Sequence, residues 1–156
     1  MTRSILTLRI SRRAIGAAVL NGDALTLLDG RHLTSRRDRA AMAAIRYLRR
    51  VLDLAKPDGV VIDVPRSPSV DSDRITSAIA TTLHERQIHP LVVGKSDILG
   101  AYGVHPVRSR EQLRQVAQSF WPELQKLTGR VQPYVVDAAI AALYAESRLA
   151  LHQPSP

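Results

Sequence analysis

A chain of 156 residues, 45% of them hydrophobic and 23% charged, can bury a core without covalent staples, so it reads as one folded domain over 1–151 with a disordered tail at 152–156. It has no cysteine, which excludes disulfides, thiolate zinc sites and cysteine nucleophiles and suits a cytoplasmic protein, and no apolar run reaches the roughly 18–20 residues of a membrane span. The formal net charge of +8, carried mostly by arginine, favours polyanionic partners, nucleic acid before an anionic membrane surface, although an arginine-rich composition alone has the same look.

In chain order, Ile5–Ile10 and Ala14–Leu20 read as strands joined by the polar "SRR". Arginines without acids over the first twenty-two residues also suit a transit peptide, but their strand-like alternation and the turn that follows argue against it. "NGD" at Asn21–Asp23 is a hairpin turn, because Asn-Gly accepts the positive φ such turns need, and Ala24–Leu28 returns as a third strand. Ala41, Ala44, Ile45, Leu48, Leu52 and Ala55 then form an apolar stripe at helical spacing, with Ser35 as its cap and Pro57 and Gly59 as its stop. The other face of that helix carries Arg39, Arg46, Arg49 and Arg50, a charged face that is either solvated or follows a phosphate backbone.

"VVIDVP" and "HPLVVG" read as short strands buried on both faces. Between them a helix is expected from about Ser72 to Arg86. Ser109–Leu127 reads as a helix that breaks near Pro122, with Ser109 as cap and Gln112 at its N3 position, and Pro133–Leu151 as a last, unusually apolar helix. The fold class is therefore α/β: a mixed five-stranded sheet, a three-stranded antiparallel meander followed by two parallel strands, with helices on both faces.

Two acids stand in apolar surroundings. Asp63 ends the run "VVID" at the carboxyl end of a strand, the edge where open α/β sheets bind ligands. Asp137 lies in the first turns of the last helix, where the helix dipole favours a negative charge by about 0.3–1 kcal/mol. Each has a plain structural reading too: Asp63 as a turn former before Pro65, Asp137 as an exposed helix acid.

This combination resembles the RNase H-like superfamily and, within it, the RuvC Holliday-junction resolvases and their YqgF relatives. "ILTLRISRRAIGAAVL" resembles the family's first hairpin, "VVIDVP" its fourth strand and "PYVVDAAIAALYA" its last helix, where the family pattern is D-A-A-D-A-L-A. The resemblance implies a phosphodiesterase with two divalent metals held by four carboxylates. Carried onto this chain, those positions are Arg9, Asp63, Tyr134 and Asp137, so two acids remain. An arginine in place of the first acid brings a fixed positive charge, which repels Mg²⁺.

The expectation is a RuvC-like protein without two-metal catalysis, holding no metal or cofactor, in which Arg9 pairs with Asp63 and Asp137 where the family holds its cations. The plain alternative is an Arg9 side chain that snorkels to solvent. The implied partner is DNA or RNA, branched or structured, with a homodimer expected and no membrane association. Arg12, Arg13, Lys95, His105, Arg108, Arg110 and Arg114 are the candidate contacts to nucleic acid. One rival is a Mg²⁺-dependent structure-selective endonuclease using Asp63, Asp137 and another acid such as Asp97. The other is a protein-interaction scaffold without nucleic-acid binding.

Overall fold

The structure, a computed structural model, describes residues 3–33, 37–65, 69–94, 98, 109–130 and 132–151. In chain order it contains β1 (Ser4–Ile10), β2 (Ala14–Asn21), β3 (Ala24–His32), α1 (Arg37–Ala55), β4 (Gly59–Asp63), α2 (Val70–Glu85), β5 (Leu91–Val93), α3 (Arg110–Phe120), a 3₁₀ turn (Pro122–Lys126) and α4 (Gln132–Leu151). The strands form one five-stranded sheet in the order β3-β2-β1-β4-β5. The first three are antiparallel neighbours, β4 runs parallel to β1, and β5 runs parallel to β4.

Strand alternation sorts the side chains into two cores. Leu6, Leu8 and Ile10 of β1 join Ile15, Ala17 and Val19 of β2 and pack against α1 and α2. Ile5 of β1 joins Ala18 and Leu20 of β2 and packs against α3 and α4. Thr7, on the same face as Ile5, is also buried. A permanently charged side chain at Arg9 therefore emerges under α4, at the carboxyl end of β1.

Both turns of the meander have local causes. Gly22 takes a φ of 65°, while Asn21 remains in β2 and pairs with Ala24, so Gly22 and Asp23 make the two-residue turn. In "SRR" the Ser11 hydroxyl accepts the N–H groups of Arg13 and Ala14 at 3.2 and 3.0 Å, which closes the turn on a short polar side chain and leaves Arg12 and Arg13 exposed.

Three sequence expectations shift. The second helix begins at Val70, not Ser72, because Ser69 is the cap and forms a reciprocal capping box with Ser72. The "HPLVVG" strand is not buried on both faces: β5 is an edge strand of the sheet, and Leu91 and Val92 are 38% and 54% exposed. The third strand runs on to His32, four residues past Leu28. Ser109 caps α3 by accepting the Gln112 N–H at 3.2 Å, and the helix ends ahead of Pro122 as expected. Ser35 lies outside the described residues.

α4 lies close on the sheet because the residues it presents are small: Ala138, Ala139, Ala141, Ala142 and Ala145 are all fully buried. Its approach is closest at Gly16, where a Cβ would lie 2.6 Å from Val135 N and closer still to the Tyr134 carbonyl. Gly16 is the cross-strand partner of Arg9. The same contact that seats the start of α4 on β2 thus sets the height of Asp137 above Arg9. Among the described residues, no helix is long and apolar enough to cross a membrane.

Candidate functional site

Arg9 and Asp63 are direct partners in the parallel register of β1 and β4. Neighbouring strands run about 4.8 Å apart, and paired residues point their side chains to the same face. Arg9 Nη1 lies 3.5 Å from Asp63 Oδ1. From above, the second turn of α4 lowers Asp137 onto the same guanidinium, with Arg9 Nε 3.5 Å from Asp137 Oδ2. The Arg9 side chain is only 11% exposed, and the two carboxylates are 0% and 1% exposed. Asp137 therefore faces the sheet and is not an exposed helix acid, and Arg9 does not snorkel to solvent.

A second guanidinium completes the arrangement. Arg114 of α3 donates from Nε to Asp137 Oδ1 at 2.9 Å and from Nη2 to Asp137 Oδ2 at 3.0 Å, the two-pronged geometry that matches a carboxylate. These hydrogen bonds raise the Arg114 pKa above its usual value, against a smaller opposing effect of burial. Its Nη1 also lies 3.6 Å from Glu111 of the same helix. Arg114, a candidate phosphate contact on sequence grounds, thus has one edge of its guanidinium committed to Asp137. Two buried carboxylates thus face two guanidiniums.

Around Arg9 opens a groove of about 560 Å³, lined among others by Ser11, Arg12, Arg13, Ser69 and Tyr134. Arg12 and Arg13 come from the exposed β1–β2 turn, Ser69 from the cap of α2, and Tyr134 from the first turn of α4. Four of the positions singled out in the sequence, Arg9, Arg12, Arg13 and Tyr134, therefore share one groove, with Asp63 and Asp137 beneath it. Lys95, Asp97, His105 and Arg108 lie outside the described residues, as does the side chain of Arg110. Sequence reasoning missed Gly16 and the pairing of Arg114 with Asp137. Gly16 gave no signal beyond being a glycine within a strand, a feature that marks close backbone approach. The bidentate role of Arg114 depends on how α3 and α4 face each other, which helical spacing within either one does not reveal.

Among the described residues, the arrangement does not fit a two-metal centre. Such a centre needs carboxylate oxygens free to bridge two cations. Here both oxygens of Asp137 accept from Arg114, and Asp137 and Asp63 each face the Arg9 guanidinium. Among the described residues, no group of three or more His, Cys, Asp or Glu side chains is placed to hold a metal ion.

No protein-family model matches the chain, and no curated protein sequence matches it. Solved structures do. The fold is similar to that of Thermus thermophilus RuvC in complex with a Holliday junction substrate, with a TM-score of 0.76 at 13% identity over 98% of this chain and 99% of that one. A second Thermus thermophilus RuvC structure gives a TM-score of 0.69 at 10% identity over 93% and 96% of the two chains. A yeast mitochondrial Holliday junction resolvase gives 0.67 at 10% identity over 95% of this chain and 80% of that one. At these identities the likeness carries the fold and leaves the chemistry to the residues themselves. The chain has the fold of these RuvC structures.

Proposed function

We propose that this protein binds branched or structured nucleic acid in the groove over Arg9 and does not cleave it by two-metal chemistry. The observation that carries the reading is the Arg9 guanidinium set between Asp63 and Asp137 at 3.5 Å from each. A site that needs carboxylates to hold cations has been replaced by one in which arginines hold the carboxylates. Arg12 and Arg13 line the groove and make it attractive to phosphate. The surplus of 22 lysines and arginines over 14 acids acts in the same direction. Preference for a branched substrate comes from the similarity to RuvC bound to a Holliday junction.

The test is a gel shift of a labelled four-way junction and a linear duplex in EDTA, over a range of salt concentrations. Retardation without metal is expected, tighter for the junction, with log K falling linearly against log salt. Arg12→Gln with Arg13→Gln should reduce that slope by about 2, at roughly 0.9 per lost phosphate contact. Binding that is absent, or indifferent to salt, would overturn the proposal and favour a protein-interaction scaffold.

A further inference from the structure

A second basic groove of about 340 Å³ lies on the other face of the sheet, between α1 and β3. Arg31, Arg46 and Arg50 line it, together with Tyr47 and Ala43. Arg31 pairs with Ile15, whose side chain belongs to the core under α1, so this groove is separated from Arg9 by the sheet itself. All three arginines are exposed, and among the described residues none of them forms an ion pair.

One acid, Asp29, stands beside the groove. Tyr47 donates its hydroxyl to Asp29 Oδ2 at 3.0 Å. Burial first, then the charge of Asp29, push the Tyr47 pKa up, so the phenol keeps its proton and remains a donor. Arg50 sits over the Tyr47 ring, 5.7 Å from its centroid, a cation–π contact that orients its guanidinium. Since Tyr47 is 1% exposed, its ring offers no face on which a base could stack. The groove thus presents three guanidiniums, the side chain best matched to phosphate, and among its lining residues no exposed ring on which a base could stack.

We propose that this groove is a second contact site for the phosphate backbone of nucleic acid. The two basic surfaces meet at one end of the sheet, where the Leu33 N–H donates to the Arg13 carbonyl and joins the end of β3 to the β1–β2 turn. A backbone held at Arg12 and Arg13 can continue around that edge to Arg31. This inference rests on the nucleic-acid binding proposed above, and its test separates the two.

The experiment measures the salt dependence of junction binding by fluorescence anisotropy for the intact chain, for Arg31→Gln with Arg46→Gln and Arg50→Gln, and for the same three positions changed to lysine. The glutamine variant should lower the log–log slope by about 2–3, and the lysine variant should keep it, because charge sets the slope. A slope unchanged in the glutamine variant but lowered by Arg12→Gln with Arg13→Gln would overturn the second site and leave the first standing. Loss of inorganic pyrophosphate binding in the glutamine variant with an unchanged junction slope would overturn it too, making the groove a small-anion site. Salt-independent binding by the intact chain would end both proposals.

Discussion

Replacing Arg9→Met keeps much of the side-chain volume and removes the charge that two buried carboxylates share. Coulomb's law at an effective dielectric constant of about 20 gives each 3.5 Å pair roughly 4.7 kcal/mol of gross attraction. Desolvating a guanidinium that is 11% exposed offsets most of this, so the gross figure is not what is lost. What is lost is one partner of each buried carboxylate, and breaking a buried pair costs about 3–5 kcal/mol in comparable cases. Asp137 keeps its two hydrogen bonds to Arg114, which places the expected loss at the lower end, about 3 kcal/mol. Urea denaturation at neutral pH measures it. A double-mutant cycle sharpens it: in the Arg9→Met background, Asp63→Asn should be neutral or stabilising, with a coupling of about 2 kcal/mol. A loss within about 0.5 kcal/mol and no coupling to Asp63 would refute the reasoning, leaving Arg9 as an ordinary surface arginine.

Three further substitutions have defined outcomes. Gly16→Ala pushes a methyl into the Tyr134–Val135 backbone and should cost about 1–3 kcal/mol, read as a lower urea midpoint, with weaker junction binding as α4 lifts from β2. Arg114→Leu removes two charge-assisted hydrogen bonds from Asp137 while leaving Arg9 in place. It should cost about 2 kcal/mol in the same assay, less than Arg9→Met because this side chain is 27% exposed. Tyr47→Phe removes only the hydrogen bond to Asp29. It should lower stability by about 1 kcal/mol, which lowers the melting temperature by roughly 2–4 °C in circular dichroism.

The elements were legible where local chemistry decides them. Alternation marked β1 and β2, Gly22 marked the hairpin, and Pro122 marked the end of α3, because each acts through its own backbone, although the turn falls on Gly22 and Asp23 with Asn21 still in β2. The shared face of Ile5, Thr7 and Arg9 followed from the period of a strand and placed the charge under α4. What was not legible depends on assembly. β5 has the composition of a central strand and lies at the edge, because a run of Leu and Val does not tell how many neighbours the strand will have. The start of α2 moved because Ser69 and Ser72 offer two serines for one cap, and the reciprocal pair selects the earlier. Arg114 looked like one of several arginines on a charged helix face until the packing of α3 against α4 brought it onto Asp137. The α1–β3 groove was half visible, since Arg46 and Arg50 stood on one helix face, while Arg31 joined them only through the sheet.

The central claim is that arginines hold the carboxylates that metals would otherwise need. It is tested most directly by incubating the purified protein with a labelled four-way junction in Mg²⁺ or Mn²⁺ and resolving the products on native and denaturing gels. The expected result is a retarded complex, unchanged by EDTA, with every strand intact. Metal-dependent strand cleavage that disappears in Asp63→Asn would contradict it.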